Sequence, residues 1–524
     1  MARALRTADS NAARGAVLQL SDPPRGTILD VRSMKLSQLL EGCELKRPLL
    51  NREREIAAPS YDSRSVAPGD AFFAIRGEVT DGNRFVSSAV GRGASAIVSE
   101  MARPADLTAR VAWAEVADAR KSLAVAAANY FGNPAGALQL VGITGTNGKT
   151  TTSYLLDSIL RAAGRSSGLF GTIAYRTPRA TVAATTTTPE SLDLQRFFSE
   201  IVRAGGTHAV LEASSHALAM DRLWGCEFAV AVFTNLTRDH LDFHKTFDAY
   251  FAAKRLLFES TGKGPARVGV VNADDDYGAR LDGIAARTLR YGLRSGEITT
   301  RKIALGGDGL DFDVETPSGP IPVRSRLVGR TNVYNILAAI GAATALEIEP
   351  AAIASGIAQL EFVPGRSERV VAGQPFLVVV DYAHTDDALG NLLATAREIV
   401  PSGRVLTLFG CGGDRDRAKR PLMGEAAGRG SDFVVLTSDN PRSEDPLLII
   451  NDALVGLQRT RAEYLVEPDR ERAIHLVLEK ARAGDIVLIA GKGHENYQVL
   501  NDRTVDFDDR EVARRLLARM GYAA

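Results

Sequence analysis

The chain has 524 residues, too long for one hydrophobic core, and a prior of about 150 residues per domain predicts about three domains. Lysine and arginine total 63, as do aspartate and glutamate, so the net charge is zero, nothing indicates a nucleic-acid partner, and small molecules are expected instead. The three cysteines, Cys43, Cys226 and Cys411, show neither a metal-ligand spacing nor a pairing pattern, which favours the reducing cytoplasm.

The first 33 residues carry five arginines and no sustained hydrophobic periodicity, so we interpret residues 1–33 as a flexible, dispensable extension. An arginine-rich transit peptide is the alternative, which Asp9, Asp22 and Asp30 weaken. No apolar run in the chain approaches the roughly 18 residues that a membrane span needs, so no membrane partner is expected.

Residues 34–137 are predicted to form a small α/β domain. A helix is expected over residues 34–40, and helical stretches alternate with apolar runs at residues 71–75, 94–98 and 111–113. A polar turn at residues 62–64 precedes the first run and a loop follows it. Taken alone, that turn is ordinary.

The strongest motif, G-T-N-G-K-T at residues 145–150, separates a predicted strand over residues 138–144 from a helix that begins at Thr150. The glycines let the backbone approach a polyphosphate, Lys149 can reach its terminal phosphates, and the Thr150 hydroxyl can hold Mg²⁺. The common phosphate-loop pattern needs glycine where Ile143 stands, so this loop is a shorter variant. The motif predicts ATP as a ligand, with a chance glycine-rich turn as the alternative.

Three further polar segments are predicted to surround the phosphate loop. Residues 185–189 form a hydroxyl-rich loop, and Glu212 follows an apolar run where its carboxylate could complete a Mg²⁺ site with Thr150. The sequence T-N-L-T-R-D-H-L-D at residues 234–242 follows a strand predicted over residues 228–233, and α/β sheets place ligands at such strand ends. Each segment alone is at least as often a plain turn or a hydrogen-bonded side chain, so the prediction depends on their number.

The remainder of the chain is predicted to form a doubly wound parallel sheet. Its apolar runs lie at residues 376–380, 405–409, 433–436 and 486–489. Polar clusters follow all four runs, at residues 381–384, 410–416, 438–442 and 491–495. These loops are therefore expected to meet at one edge of the sheet. No G-x-G-x-x-G motif opens a helix with an acidic residue about 20 positions on, so a dinucleotide cofactor is not expected.

From about Met34 onward, these motifs together resemble the Mur ligase family of ATP-dependent amide-forming enzymes. The resemblance rests on G-T-N-G-K-T-T, E-A-S-S-H, N-L-T-R-D-H-L-D, G-R-S-E, D-Y-A-H, D-N-P-R and G-K-G-H-E. It implies a three-domain α/β fold: a small UDP-binding domain at residues 34–137, a central ATP-binding domain with a parallel sheet at residues 138–366, and a Rossmann-like doubly wound domain at residues 367–524 that binds an amino acid.

The resemblance also implies which residues bind ATP and Mg²⁺. The nucleotide set is Gly145, Thr146, Asn147, Gly148, Lys149, Thr150, Thr151, Asn335, Arg366 and Asp381. Thr150 and Glu212 would hold one Mg²⁺, and His240 with Lys254 another. Lys254 would be carbamylated to N6-carboxylysine, because an ammonium repels a metal whereas a carbamate offers it anionic oxygens. The catalytic residues would be Lys149, Glu212, His240 and Lys254. Without the resemblance, Lys254 is interpreted as an ordinary surface lysine on a helix.

Two substrate sites are implied as well. The UDP-sugar set is Ser63, Gly77, Glu78, Val79, Thr80, Asp81, Thr186, Thr187, Thr188, Ser214, Met220 and Arg222. The amino-acid set is Arg415, Asp439, Asn440, Pro441, Arg442, Gly491 and Glu495. Three positions depart from relatives: Met220 stands where some have glutamine, Thr186 where some have asparagine, and Asp386 where many have proline. These departures affect details of the pockets, not the reaction.

The implied reaction begins when the γ-carboxylate of D-glutamate in UDP-N-acetylmuramoyl-L-alanyl-D-glutamate attacks the γ-phosphate of ATP, which gives an acyl phosphate. The amine of a third residue then displaces phosphate. D-N-P-R resembles the pattern of relatives that add meso-diaminopimelate, whose distal carboxylate Arg442 could bind through two charge-assisted bonds. A cytoplasmic monomer is expected.

Two alternatives stay open. A folylpolyglutamate synthase has a similar phosphate loop but is not expected to carry D-N-P-R. A non-enzymatic ATP-gated switch would release no phosphate when every substrate is present.

Overall fold

The computed structural model describes residues 33–77, 80–105, 107, 110–306 and 309–522. The predicted extension of residues 1–33 therefore lies outside the described residues except for Ser33, and so do Glu78 and Val79 of the predicted UDP-sugar set. Among the described residues, no helix is both long and apolar enough to cross a membrane.

The N-terminal region is built on a four-stranded parallel sheet in the order β3-β4-β5-β6. Its strands are β1 (Met34–Lys35), β2 (Glu55–Ile56), β3 (Pro59–Ser60), β4 (Ala71–Phe73), β5 (Ala96–Ser99) and β6 (Ala112–Glu115). Its helices are α1 (Leu36–Leu39), α2 (Val86–Gly91) and α3 (Ala119–Phe131), with 3-10 turns at Gly82–Phe85 and Pro134–Ala137.

The prediction of a helix over residues 34–40 is wrong in both its start and its length. Met34 and Lys35 pair antiparallel with β2, and the helix occupies only Leu36–Leu39. The chain turns away soon after this helix because Gly42 adopts a left-handed conformation with φ of +82°. Leu36 and Leu39 are fully buried, so tertiary packing stabilises this short helix.

The central region contains a nine-stranded sheet in the order β10-β9-β8-β11-β7-β12-β13-β14-β15. Its strands are β7 (Gln139–Thr144), β8 (Ser167–Phe170), β9 (Ala174–Arg176), β10 (Thr181–Ala183), β11 (His208–Glu212), β12 (Phe228–Phe233), β13 (Val268–Asn272), β14 (Arg287–Gly292) and β15 (Ile298–Thr299). An antiparallel sheet follows, made of β16 (Ile303–Gly306), β17 (Gly309–Val314) and β18 (Ile321–Ser325). The helices are α4 (Lys149–Ala162), α5 (Ser191–Arg203), α6 (Ser215–Ala219), α7 (Leu241–His244), α8 (Phe247–Glu259), α9 (Asp276–Ala279), α10 (Arg330–Ala345) and α11 (Pro350–Gln359).

The register of this sheet positions the phosphate loop. Strand β7 lies between β11 and β12 and runs parallel to both, so the loops that follow these three strands lie side by side at one edge. Alternate residues of β7 enter different cores: Val141 and Ile143 pack in the core with helices α4, α10 and α11, and Leu140 packs in the core with α5 and α8. Ile143 is thus a fully buried strand residue, which explains why the loop begins only at Gly145.

The C-terminal region contains a six-stranded sheet in the order β19-β20-β24-β21-β22-β23. Its strands are β19 (Glu368–Arg369), β20 (Leu377–Asp381), β21 (Val405–Phe409), β22 (Phe433–Leu436), β23 (Glu463–Val466) and β24 (Ile486–Ala490), and a small hairpin pairs β25 (Tyr497–Val499) with β26 (Thr504–Asp506). The helices are α12 (Asp386–Ile399), α13 (Lys419–Gly430), α14 (Pro446–Leu457), α15 (Arg470–Lys480) and α16 (Asp509–Arg519).

Helices cover both faces of this sheet, as the doubly wound prediction requires. Helices α12, α13 and α14 enclose one apolar core, and α15 with α16 encloses the other. All the strands are parallel except the edge strand β19. The loops after β20, β21, β22 and β24 therefore meet at one edge, which confirms the predicted fold class.

Candidate active site

The phosphate loop is shaped by two glycines that no other residue could replace without strain. A Cβ at Gly145 would lie 1.9 Å from Thr234 Oγ1, and one at Gly148 would lie 2.3 Å from Asn335 Oδ1. Both also have positive φ angles, of +143° and +88°. Helix α4 begins directly after this turn, so its unpaired N–H groups face the loop, an arrangement that favours anions.

Lys149 opens α4 and turns back over the loop. Its Nζ donates to the carbonyl oxygens of Gly145 at 2.9 Å and Thr146 at 2.7 Å. Burial lowers the pKa of Lys149, while the charges of Glu212 and Asp239 oppose that shift. A half-buried ammonium at a helix start is suited to a polyphosphate.

Glu212 and Thr150 form a group of hard oxygen ligands beside the loop. The Thr150 hydroxyl donates to Glu212 Oε2 at 3.0 Å, and the Thr172 hydroxyl donates to the same oxygen at 3.0 Å. Arg366 Nη2 donates to Thr150 Oγ1 at 3.1 Å. Such oxygens fit Mg²⁺, which is commonly bound by one or two protein ligands plus substrate phosphates. The described residues contain no cluster of three or more His, Cys, Asp or Glu that could hold a metal by itself.

Lys254 is not a surface residue, so the surface-lysine interpretation is wrong. It lies on α8 with 1% of its surface exposed, and its Nζ donates to the Gly145 carbonyl at 2.7 Å. Burial first, and then the charge of Lys149, hold its pKa well below the ordinary value. His240 lines the same cavity, and burial also lowers its pKa.

A cavity of about 260 Å³ joins these groups between the central and C-terminal sheets. It brings together many of the predicted residues: Thr146, Asn147, Gly148, Lys149, Thr150, Thr151, Thr187, Glu212, Ser214, His240, Lys254, Asn335, Arg366 and Asp381. Gly145 lies in the adjacent loop without lining the cavity. Sequence reasoning missed Thr172, Tyr250, Asn391 and Thr395, which also line it. Asn391 and Thr395 lie one helical turn apart on α12, and this i, i+4 spacing of polar residues could have indicated that both face the same site.

The C-terminal region touches the phosphate loop directly. Asn147 Nδ2 donates to Asp387 Oδ2 at 2.9 Å, and Arg366 stacks 4.4 Å from the Tyr382 ring. Asp381 accepts bonds from the backbone N–H groups of Ser367 at 2.6 Å and Ala383 at 2.8 Å. Its carboxylate therefore fixes the connection between the two regions.

The hydroxyl-rich loop is attached to Glu212. Thr188 Oγ1 donates to the Glu212 carbonyl at 2.6 Å and Arg222 Nη1 donates to the Thr188 carbonyl at 2.9 Å. Thr187 contacts the Thr172 hydroxyl at 3.3 Å, and the Thr186 hydroxyl donates to the Thr188 carbonyl at 2.9 Å. This loop therefore places the Thr187 hydroxyl at the cavity wall.

The predicted uridine-diphosphate residues lie in the N-terminal region, outside the cavity. Ser63 is buried after β3, the Gly77 N–H donates to the Thr80 carbonyl at 2.8 Å, and Asp81 caps the following 3-10 turn. Arg120 joins this loop to the central region: it donates to the carbonyls of Arg76 at 2.9 Å and Met220 at 3.4 Å, and to Glu190 at 3.1 Å. Met220 thus offers its backbone carbonyl to Arg120.

The amino-acid set lies on three neighbouring loops of the C-terminal sheet. Asn440 Nδ2 donates to Glu495 Oε2 at 2.8 Å, and a Cβ at Gly491 would lie 2.6 Å from Asp439 Oδ2. Arg442 follows Pro441, has a φ of +52°, and donates to the Gly413 carbonyl at 2.6 Å. Arg415 donates to the Asp414 carbonyl at 3.1 Å. Within the described part of the chain, neither guanidinium forms an ion pair, so both are suited to a carboxylate ligand.

Three family models match the chain. The Mur ligase family catalytic domain matches residues 55–131, the Mur ligase middle domain residues 143–343, and the Mur ligase glutamate ligase domain residues 365–493.

Similar proteins match over nearly the whole length. A relative from Solibacter usitatus, named UDP-N-acetylmuramoyl-L-alanyl-D-glutamate–2,6-diaminopimelate ligase, is 55% identical over 494 residues, which cover 93% of this chain and 99% of the relative. A relative of the same name from Geobacter metallireducens is 47% identical over 478 residues, 87% of this chain and 93% of the relative. A solved structure of a ligase with that name is 33% identical with a TM-score of 0.65 and covers 94% of this chain and 100% of its own.

Proposed function

The chain belongs to the Mur ligase family, and from that premise we propose that it adds meso-diaminopimelate to the D-glutamate of UDP-N-acetylmuramoyl-L-alanyl-D-glutamate in peptidoglycan precursor synthesis. One observation carries the proposal beyond the names of its relatives. A phosphate loop with half-buried Lys149 shares a cavity with the C-terminal region, and on the same edge of that region's sheet Arg415 and Arg442 form no ion pair among the described residues. The enzyme acts as a monomer in the cytoplasm, where ATP is available.

The reaction proceeds in two steps, a phosphoryl transfer and an amide-bond formation. An oxygen of the γ-carboxylate bonds to the γ-phosphorus of ATP while the bond from that phosphorus to the ADP oxygen breaks, which gives an acyl phosphate. The neutral amine of diaminopimelate then attacks the acyl carbon, the bond to the phosphate oxygen breaks, and the amine loses a proton. The products are the amide, ADP and inorganic phosphate.

The residues around the phosphate loop supply charge stabilisation and positioning. Lys149 and Arg366 would neutralise the phosphoryl group in transfer, since catalysis of this kind depends on preorganised charge. Thr150 and Glu212 would hold Mg²⁺, which supplies further neutralisation when bound. The C-terminal region already contacts the phosphate loop through the Asn147–Asp387 hydrogen bond, and its closure over the cavity would exclude the water that hydrolyses an acyl phosphate.

Lys254 and His240 would hold a second Mg²⁺, with Lys254 carbamylated. Its depressed pKa supports this role, because only a neutral amine reacts with carbon dioxide. Burial of Lys254 beside the Gly145 carbonyl supports it too, since a surface lysine would have no fixed position relative to the phosphate loop.

The amino acid would be chosen by Arg442 and Arg415. Diaminopimelate carries a second carboxylate at its distal end and L-lysine does not, so a guanidinium aimed there favours diaminopimelate. Asp439, Asn440 and Glu495 would receive the ammonium groups, and Gly491 keeps the pocket open beside Asp439.

An assay with one substrate omitted at a time tests the proposed function. We expect phosphate release only when ATP, the UDP-muramoyl dipeptide and meso-diaminopimelate are all present. A heavy-oxygen label in the γ-carboxylate should appear in the inorganic phosphate. Ligation of glutamate to a folate would favour the folylpolyglutamate synthase alternative, and ATP binding without phosphate release would favour the switch.

A further inference from the structure

One buried ion pair lies behind the loops of the proposed amino-acid site. Arg470 begins α15 and Asp509 begins α16, and both side chains are fully buried. The guanidinium donates to both carboxylate oxygens, from Nε at 2.8 Å and from Nη2 at 2.7 Å. This two-bonded geometry fixes the orientation of the guanidinium as well as its position.

The same guanidinium binds two backbone carbonyls, one at the end of β24 and one two residues after the end of β22. Nη1 donates to Ser438 at 3.2 Å, and Nη2 donates to Ala490 at 3.1 Å. The residues that come next are Asp439 and Gly491, the first members of the two loops that carry much of the amino-acid set. Strands β22 and β24 are not neighbours, because β21 lies between them. No ladder between those two strands sets the separation of their loops. Arg470 supplies a direct link at the strand ends, in addition to the Asn440–Glu495 hydrogen bond between the loops.

Stability alone does not explain a charged pair at this position. Replacing a buried ion pair with apolar side chains of similar volume is often neutral or stabilising, because desolvation offsets the attraction. The same pair can specify a geometry that an apolar contact would leave loose. Burial lowers the pKa of Arg470, but the negative charges of Asp509, and then of Asp439 and Glu495, raise that pKa by more. The guanidinium therefore interacts electrostatically with two acids of the proposed site.

We propose that Arg470, oriented by Asp509, is a positioning residue for the incoming amino acid. It holds the loop that carries Asp439 at a fixed distance from the loop that carries Glu495, so that both acids face one ligand. This inference rests on the proposed function, since it assigns a role inside the amino-acid site of that reaction.

Arg470→Lys tests the proposal, because one ammonium keeps the charge but cannot make all four hydrogen bonds. A displacement of about 1 Å in a site can cost about 100-fold, so we expect the KM for meso-diaminopimelate to rise about 10- to 100-fold. The KM values for ATP and the UDP-muramoyl dipeptide should stay within about twofold. Arg472→Lys is the matched control, since Arg472 lies on the same helix with its side chain 74% exposed.

Asp509→Asn is the second variant, which keeps the shape but removes the charge that orients Arg470. It should shift the same KM in the same direction by a smaller factor. The proposal is overturned if the variants fold and only their melting temperatures fall, or if neither folds, since the pair would then serve stability alone. Wild-type enzyme that ligates no amino acid would instead contradict the proposed function.

Discussion

The cavity at the phosphate loop and the proposed amino-acid site lie at the carboxyl edges of two mostly parallel sheets, yet they are built differently. In the central sheet, the loop itself holds the charged groups: buried Lys254 and half-buried Lys149 both donate to the Gly145 carbonyl. In the C-terminal sheet, Arg415 is exposed and Arg442 half-buried, and each donates to a loop carbonyl. Of these four cations only Lys254 is fully buried, so the two sites differ most at that residue.

The largest loss of activity should come from replacing Lys254, the buried cation beside the phosphate loop. Lys254→Ala should lower kcat by about 10³-fold, because it removes a group that stabilises charge next to the phosphate loop. Short-chain carboxylates should restore part of the activity by standing in for the carbamate. Exposed Lys263 is the control, and Lys263→Ala should behave like the wild type. Full activity of Lys254→Ala would contradict the role.

A substitution in the proposed amino-acid site should change the selectivity between meso-diaminopimelate and L-lysine. Bound diaminopimelate would cover the half-buried Arg442 and bury the pair between the guanidinium and the distal carboxylate. Removing one partner of such a pair costs about 3–5 kcal/mol, so Arg442→Ala should lower kcat/KM for meso-diaminopimelate by two to three orders of magnitude. Ligation of L-lysine should change far less. Arg459→Ala, at an exposed arginine of the same region, serves as the control. An unchanged preference in Arg442→Ala would disprove the assignment.

The contact between the two regions should matter less than either site. Asp387→Ala removes the acceptor for Asn147, a loss of about 0.5–1.5 kcal/mol that should raise the KM for ATP about two- to tenfold. Asp386→Ala is the control, because Asp386 lies in the same helical turn without that contact. Equal effects of both substitutions would assign the change to the helix start instead.

The smallest effect that we expect is a dependence of folding stability on pH, which arises from the ion pair between Arg420 and Glu444. Arg420 is fully buried, and its hydrogen bond lowers the pKa of Glu444 to about 2 from its ordinary 4.5. Since the folded pKa is depressed, the stabilisation is fully present above about pH 4.5 and is lost as the pH falls toward 2. The melting temperature of Glu444→Gln should therefore lie below that of the wild type at pH 7, and the gap should narrow across this window. A gap that stays constant would contradict the account, and exposed Glu479→Gln is the control.

Much of the fold could be predicted because its strands are strongly apolar. The runs that became β12, β21 and β22 match their predicted bounds, and the glycine-rich turn after β7 indicated where the chain approaches a phosphate. Strand β23 was missed because its apolar run is only three residues long, Tyr464–Val466, and these residues are exposed at the sheet edge instead of buried in a core. The antiparallel strands β16, β17 and β18 were also missed.

Sequence reasoning could also name many cavity residues, but it could not see contacts between distant segments. Thr172 reaches Glu212 from 40 positions away, from a bend with no distinctive pattern. The link between Arg470 and two strand ends depends entirely on the tertiary fold. The roles of the named site residues stay predictions until the variants are measured.

The most direct test of the account is the ratio of kcat/KM for meso-diaminopimelate and L-lysine, measured on the full-length wild-type enzyme with ATP and the UDP-muramoyl dipeptide. We expect a preference for diaminopimelate of at least about 100-fold, as the loss of one buried charge partner implies. Equal use of the two amino acids would contradict the selection by Arg442, and ligation of neither would contradict the proposed function.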